Sequence, residues 1–371
     1  MKRWPCFMTK TLTILMAQIN PIVGAIESNT DKIIQIITDH QHTHDLIIFP
    51  EFALCGYPPE DLLLRQDLFI RIDKALQMIV NATFHCHIVL GHPQIVNGQC
   101  YNTASILYQT KIKKQYFKQQ LPNYGVFDEK RYFTPGNKTC ILKIHGYRIG
   151  LCICQDLWQG PTVQNLVNLQ IDILVILNAS PFETTKRQQR EALIRQKAKG
   201  IITIYVNLVG GQDELVFDGQ SMAINAQGEI LARAAAFTES LHRVQIHEHQ
   251  IASDITPLLD KNAEIYQALL LGLRDYVHKN NIPGVLLGLS GGIDSALTLA
   301  IAVDALGPDK VMAVLLPSRY TSAMSIEDAE AQIQTMQIQS KQISIESGFQ
   351  LLSADIAAAF TQPLFGITLE N

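Results

Sequence analysis

The chain has 371 residues, of which 47% are hydrophobic and 17% are charged. This length fits two domains, and the composition excludes an intrinsically disordered chain. Because the net charge at pH 7 is only -4 and no run of basic residues is present, we expect no binding to nucleic acid.

Short apolar runs and helical spacing alternate through the first part of the chain. The apolar runs predict strands at residues 12–17, 46–49, 88–90, 149–153, 173–177 and 201–206. Helices are predicted at 31–38, behind a cap at Ser28 or Asn29, at 68–80 and at 186–199. Residues 101–118 and 220–232 have the pattern of hairpins. This order predicts a layered α/β domain with a mixed sheet.

The second part of the chain predicts a different, parallel sheet. After a polar, irregular stretch at 247–260, helices are predicted at 263–280, 296–305, from 325 onward and at 349–360. Strands are predicted at 285–287, 311–316 and 342–345. This β-α order places a bound nucleotide at the carboxyl ends of the strands. We therefore divide the chain into a first domain (8–246), a linker (247–262) and a second domain (263–371), with Met8 as an alternative start.

We expect a cytoplasmic protein with no membrane partner. The seven cysteines are scattered and lack the paired spacing of a zinc site. No stretch reaches the roughly 18 apolar residues of a membrane span, and residues 1–10 lack the apolar core of a signal peptide.

A glycine-rich loop lies between the strand at 285–287 and the next helix. Its backbone N–H groups and the positive end of the helix would converge on one point, which favours a phosphate group. Asp294 beside such a site makes sense if Mg²⁺ intervenes. The alternative is a plain glycine turn with Asp294 as a helix cap. The residues predicted to bind ATP phosphates are Gly288, Leu289, Ser290, Gly291, Gly292, Ile293, Asp294 and Ser295.

Three strand ends in the first domain carry reactive side chains. Glu51 follows the strand at 46–49, Lys118 ends the first hairpin, and Cys154 ends the strand at 149–153. Taken singly, each has an ordinary interpretation as a rim carboxylate, a surface lysine or a small buried thiol.

Taken together, these residues match the Glu-Lys-Cys arrangement of the nitrilase superfamily, and the flanking segments narrow the resemblance. The chain resembles the glutamine-dependent NAD⁺ synthetases from about Thr11 onward. The segments that carry this resemblance are 49–51, 56–62, 121–124, 127–129, 207–219, 317–322 and the glycine-rich loop, which resembles that of ATP pyrophosphatases. It implies a nitrilase-type α-β-β-α sandwich followed by a partial parallel-sheet ATP-pyrophosphatase (adenine nucleotide alpha-hydrolase-like) domain.

The resemblance also implies roles for individual residues. Cys154 would attack the glutamine side-chain amide, Glu51 would act as the base, and Lys118 would stabilise the oxyanion. Glu129 would correspond to a second acid that positions the lysine. The residues implied to hold glutamine are Tyr124, Ser180 and Lys186.

The implied activity is that of an ATP-dependent ligase. Glutamine would be hydrolysed to glutamate and ammonia, and the ammonia would displace AMP from adenylated deamido-NAD⁺ to give NAD⁺. ATP and Mg²⁺ are the implied cosubstrate and cofactor. The implied partners are glutamine, deamido-NAD⁺ and a second copy of the chain in a homo-oligomer.

Two features depart from the family pattern. The residue after the nucleophile is usually acidic in the family, and here it is Gln155. The nearby Cys152 is expected to lie in the core. The chain stops at Asn371, a residue implied to bind deamido-NAD⁺, where the family's synthetase domain continues, so we expect an incomplete second domain. A stand-alone glutaminase or amidase with a degenerate second domain is therefore an alternative, and a non-catalytic remnant is a third.

Overall fold

The structure is a computed structural model that describes residues 10–359. The chain divides between Ala268 and Leu269 into two compact units. Within the described residues, no helix is long and apolar enough to cross a membrane.

The first unit is built on two mixed β-sheets. Its strands are β1 (Leu12–Gln18), β2 (Leu46–Ile48), β3 (His87–Val96), β4 (Gln99–Tyr108), β5 (Lys111–Phe117), β6 (Cys140–Ile144), β7 (Tyr147–Ile153), β8 (Ile173–Asn178), β9 (Ile202–Asn207), β10 (Val209–Gln212), β11 (Leu215–Asp218), β12 (Met222–Ile224), β13 (Ile230–Arg233), β14 (Ser240–His247) and β15 (Gln250–Ala252). The order is β15-β14-β1-β2-β3-β4-β5 in one sheet and β13-β12-β9-β8-β7-β6 in the other, and β10 and β11 form a separate pair. In each large sheet, parallel central pairs are flanked by antiparallel strands.

Helices cover these sheets. They are α1 (Ile26–His40), α2 (Gln66–Ala82), α3 (Gln155–Trp158), α4 (Thr162–Asn168) and α5 (Lys186–Lys197). A further helix, α6 (Lys261–Lys279), begins in the first unit and ends in the second.

Alternation along β1 shows how the layers stack. Ile14 and Met16 belong to a core that also contains Leu151 of the second sheet. Leu15 belongs to a second core, which includes Ile33 of α1. Successive side chains of a strand point to opposite faces, so β1 has the other sheet on one face and helices on the other. The predicted α-β-β-α sandwich is confirmed, and each fully buried aliphatic side chain contributes about 1.5–3 kcal/mol to its stability.

The second unit is a three-stranded parallel sheet with the order β16-β17-β18. Its elements after α6 are β16 (Val285–Gly288), α7 (Ile293–Leu306), β17 (Val311–Leu315), α8 (Ala323–Met336), β18 (Gln339–Gln342) and α9 (Glu346–Ala359). A small core that includes Leu299 and Ala313 joins the sheet to its helices. The predicted β-α order and parallel sheet are confirmed.

Several local predictions were wrong, and helices α7 and α9 also begin three residues before their predicted starts at 296 and 349. Helix α1 begins at Ile26, before the predicted cap, because the Asn29 side chain instead hydrogen-bonds the backbone of Ile22 and Leu54. Strand β18 begins at Gln339, three residues before its predicted start at 342. The stretch predicted to be irregular contains β15, which pairs with β14 and extends the first sheet.

Candidate active site

Glu51 lies just beyond the end of β2 and is completely buried. Its Oε1 accepts hydrogen bonds from Lys118 Nζ at 2.7 Å and from Asn102 Nδ2 at 2.7 Å. Its Oε2 accepts one from the backbone N–H of Ala179 at 2.9 Å. A Cβ at Gly91 would lie 2.4 Å from the backbone oxygen of Pro50, so this approach to the Glu51 turn requires glycine. Three donors from distant parts of the chain therefore fix this carboxylate.

Lys118 follows β5 and bridges two carboxylates. Besides Glu51, its Nζ donates to Glu129 Oε1 at 2.8 Å, and Tyr57 donates its hydroxyl to the same oxygen at 3.0 Å. Burial by itself lowers the pKa of Lys118, but the charges of Glu129 and Glu51 outweigh it, so the pKa is raised and the lysine stays charged.

Glu129 differs from Glu51 in the hydrogen bonding of its second carboxylate oxygen. Its Oε2 is buried and has no hydrogen-bond partner among the described residues. Burial raises the pKa of Glu129 to about 7, although Lys118 opposes the rise. This carboxyl group therefore changes charge close to neutral pH.

Cys154 joins the end of β7 to the short helix α3. Its backbone has φ 42° and ψ -95°, a strained conformation for a residue with a side chain, and its N–H donates to the Leu177 oxygen at 2.8 Å. The residue is 6% exposed. Burial and then the Glu51 charge raise the pKa of the thiol, and Lys118 acts in the opposite direction. Without substrate, the thiol is therefore protonated. Cys152 is fully buried in the core, as predicted.

Asp156 holds the Cys154 turn against the lysine segment. Its Oδ1 accepts from the N–H groups of Gln119 at 2.9 Å and Gln120 at 2.8 Å. Its Oδ2 accepts from Tyr116 Oη at 2.6 Å and from the N–H of Ile153 at 3.0 Å. One buried carboxylate thus positions the segments that carry Lys118 and Cys154.

The three residues predicted to hold glutamine have different surroundings. Tyr124, half exposed, donates its hydroxyl to Gln155 Oε1 at 3.0 Å. Ser180 follows Ala179, the residue whose N–H binds Glu51, and is buried. Lys186 places its Nζ 4.7 Å from the ring centre of Trp158, at the end of α3. No direct contact between Lys186 and Cys154 is seen in the described part of the chain.

A buried ion pair supports Ser180. Arg190 donates through Nη1 to both oxygens of Asp218, at 2.8 and 2.9 Å, and through Nε to Ser180 Oγ at 3.1 Å. Its Nη2 donates to the backbone oxygens of Ser180 and Pro181. Burial by itself lowers the pKa of Arg190, but Asp218 outweighs it, so the arginine is charged.

Sequence reasoning missed Arg190, Asp218, Asn102 and Asp156 as parts of the site. Asp218 lies in segment 207–219, which contributed to the family resemblance but carried no assigned role. Nothing in the local sequence marks Arg190 or Asn102, because their partners are 28 and 51 residues away along the chain.

The glycine-rich loop of the second unit connects β16 to α7. Ser290 Oγ lies 3.0 Å from Ser295 Oγ and accepts from the N–H of Gly292 at 3.2 Å. Gly291 has φ +79°, and a Cβ there would lie 2.1 Å from the Ser325 oxygen, so only glycine fits. A cavity of about 310 Å³ adjoins the loop, lined by Gly288, Leu289, Ser290, Pro317, Thr321 and Ser325 among others.

Asp294 is exposed in the first turn of α7. Between residues 10 and 359, no group of three or more His, Cys, Asp or Glu side chains is arranged to hold a metal ion. A metal at Asp294 would therefore need phosphate or water oxygens as further ligands, which is how Mg²⁺ is usually held beside nucleotides. Asn371 lies outside the described residues.

Known protein families match both units of the chain. A carbon-nitrogen hydrolase family model matches residues 13–255, and an NAD synthase family model matches residues 265–370. The chain is 43% identical over 333 residues to the glutamine-dependent NAD(+) synthetase of Acinetobacter baylyi, covering 88% of this chain and 62% of that protein. It is 40% identical to the Xanthomonas campestris pv. campestris synthetase, covering 97% and 67%.

A solved structure agrees with these sequence matches. The Acinetobacter baumannii glutamine-dependent NAD⁺ synthetase, determined in complex with adenosine diphosphate, superposes with a TM-score of 0.94 at 40% identity. The match covers 97% of this chain and 70% of that one. The chain thus spans about two thirds of the length of these relatives. It belongs to the glutamine-dependent NAD⁺ synthetase family.

Proposed function

We propose that the first unit hydrolyses glutamine, with Cys154 as nucleophile, Glu51 as base and Lys118 as oxyanion-stabilising cation. The observation that carries the proposal is the buried contact of 2.7 Å between Lys118 Nζ and Glu51 Oε1, both acting electrostatically on the Cys154 thiol. Burying two charges costs free energy that their attraction offsets only with good geometry and further hydrogen bonds, so a fully buried ion pair is weak evidence of a stabilising role. A role in catalysis by the Cys154 thiol, which lies in a strained turn, accounts for the pair better.

The reaction proceeds in two steps, formation of a thioester and its hydrolysis. In the first, Glu51 takes the Cys154 proton as the sulfur bonds to the amide carbon, and the proton passes to the departing nitrogen, which leaves as ammonia. In the second, Glu51 takes a proton from water, the oxygen of the water bonds to the thioester carbon, and the C–S bond breaks as Glu51 returns the proton to sulfur, which gives glutamate and the free thiol. In both, the Lys118 ammonium faces the negative charge that develops on the carbonyl oxygen.

Four other residues position these groups and the substrate. Glu129 is a positioning residue, because it holds the far side of Lys118 Nζ at 2.8 Å. Tyr124, Ser180 and Lys186 are proposed to hold glutamine. Their placement supports this, since Tyr124 contacts Gln155 beside the nucleophile and Lys186 contacts the end of the helix that starts there.

The second unit is proposed to use ATP to amidate deamido-NAD⁺ to NAD⁺. The N–H groups and hydroxyls of residues 288–295 would bind ATP phosphates at the N-terminus of α7. Asp294 would be a ligand of Mg²⁺, which when bound neutralises phosphate charge. Asn371 stays a prediction for the deamido-NAD⁺ site, as do the domain limits at 246 and 263. A cytoplasmic location and a homo-oligomeric state belong to the same proposal and rest on the family.

A stand-alone amidase is not favoured. It leaves unexplained why the loop keeps Gly291, which no other residue can replace there, and why residues 265–370 match an NAD synthase family. A non-catalytic remnant would not be expected to keep Glu51, Lys118 and Cys154 in one buried cluster.

One assay tests both halves. The protein is given glutamine, ATP-Mg²⁺ and deamido-NAD⁺, and glutamate, AMP and NAD⁺ are measured separately. The proposal expects all three, with glutamate release abolished in Cys154→Ala and NAD⁺ formation restored to that variant by ammonium chloride. Glutamate without AMP would leave only the amidase, and glutamate release by Cys154→Ala would refute the nucleophile.

A further inference from the structure

The Gln155 side chain has an unused hydrogen-bond donor beside the proposed nucleophile. Gln155 is 3% exposed and directly follows Cys154. Its Oε1 accepts the Tyr124 hydroxyl at 3.0 Å, but its buried Nε2 has no partner among the described residues. A buried unpaired donor costs about 1–3 kcal/mol, and a ligand oxygen would remove that cost.

The position of Gln155 indicates which part of a substrate it meets. It follows buried Cys154 in the chain and contacts half-exposed Tyr124, one of the residues proposed to hold glutamine. If Tyr124 holds the substrate as proposed, a glutamine whose amide carbon is at Cys154 has its α-carbon near Gln155. Nε2 can only donate a hydrogen bond, so it fits the α-carboxylate and not the α-ammonium group.

Nearby charges agree with a carboxylate at this point. The Lys186 ammonium lies over Trp158, the last residue of the helix that begins at Gln155. Glu183 is the carboxylate that acts on Tyr124 from this side, and it is exposed and therefore screened by solvent. Because Gln155 carries no charge and its Oε1 already accepts the Tyr124 hydroxyl, it attracts an ammonium group less than a glutamate carboxylate would.

We propose that Gln155 is a specificity-determining residue that donates Nε2–H to the substrate α-carboxylate. The site therefore takes ω-amides of dicarboxylic acids whether or not they carry an α-ammonium group. This inference rests on the proposed glutaminase function.

The test compares ammonia release from L-glutamine and from glutaramate, which lacks the α-ammonium group, using the full chain. The wild-type kcat/KM for the two amides is expected to agree within tenfold. Gln155→Glu removes the donor, repels the carboxylate and attracts the ammonium. It is expected to shift the ratio at least tenfold toward L-glutamine, mainly through KM.

Matched variants make every outcome decisive. Gln164→Glu adds the same charge on the exposed side of α4 and should leave the ratio unchanged. If Gln155→Glu does not fold by circular dichroism, Gln155→Met must raise KM for both amides, and an unchanged KM overturns the proposal. A wild-type preference for L-glutamine above tenfold, or a smaller shift in Gln155→Glu, overturns it while leaving the glutaminase standing. If no ammonia release depends on Cys154, the glutaminase and this inference fail together.

Discussion

Asp218→Ala is the sharpest test of the buried framework around the site. Asp218 is 1% exposed, and it compensates the equally buried charge of Arg190 through contacts of 2.8 and 2.9 Å. Removing one partner of a buried pair leaves an uncompensated charge and costs about 3–5 kcal/mol. Because about 1 kcal/mol shifts Tm by roughly 2–4 °C in a domain of this size, Tm should fall by roughly 6–20 °C.

The measurement must isolate the first unit, because a chain with two compact units need not unfold in one step. Trp158 lies in the site, so fluorescence melting in a Trp4→Phe background reports the unit that contains Asp218. The control is Asp67→Ala, which breaks an exposed pair with Arg65 and should hardly move the transition.

The same variant should weaken glutamine binding. Arg190 holds both the hydroxyl and the backbone oxygen of Ser180, so losing Asp218 should raise KM for glutamine more than it lowers kcat. If Asp218→Ala melts no earlier than the Asp67→Ala control, the Arg190 charge is not dependent on its partner and the reasoning is wrong.

Three further predictions follow from individual geometries. Cys154→Ser should abolish glutamine hydrolysis while Cys152→Ser keeps most of it, and equal losses in glutamate release would mean that the nucleophile is misplaced. Burial raises the pKa of Glu129 to about 7, and the ionised form of Glu129 shares Lys118 with Glu51. The wild-type kcat/KM for glutamine should therefore rise with pH through about 7. Glu129→Gln should flatten that rise and lower the kcat/KM reached at high pH. An unchanged profile in this variant would exclude Glu129 as the titrating group. Gly291→Ala should weaken ATP binding at least about tenfold in calorimetry without affecting glutamine hydrolysis, because its Cβ would collide with the backbone. Gly348→Ala in α9, outside the loop and with nothing within 4 Å of its Cβ, is the control, and equal weakening in both would refute a steric cause.

Sequence patterns predicted elements well where burial was strong. The runs around β7, β8 and β9 became strands with every residue of β8 and β9 buried, because continuous apolar runs of this length fit a covered parallel sheet. Strand β18 reads Gln-Ser-Lys-Gln and is exposed throughout, so it has no apolar periodicity to find. Because Ile343 and Ile345 just after it are apolar, the strand was predicted three residues too far along the chain.

From the residues alone, the candidate site was predictable where a strand end marks it, whereas Glu129, Tyr124, Ser180 and Lys186 were assigned from the family resemblance. Glu51, Lys118 and Cys154 each follow a strand, and the fold brings strand ends together. Asn102 lies inside β4, and its amide reaches Glu51 only because β4 pairs beside β3. Such contacts depend on sheet register and long-range packing, which local sequence does not encode.

The charges at the site explain why Cys154, as the proposed nucleophile, would need Glu51 as its base. Lys118 faces two carboxylates, and it lowers the pKa of the Cys154 thiol by less than burial and the Glu51 charge raise it. Burial and the Glu51 charge accordingly raise the pKa of the thiol. A free thiolate would be reactive toward any electrophile that enters. In the proposed mechanism the proton leaves sulfur only as Glu51 accepts it during attack on a bound amide, which would couple reactivity to substrate binding.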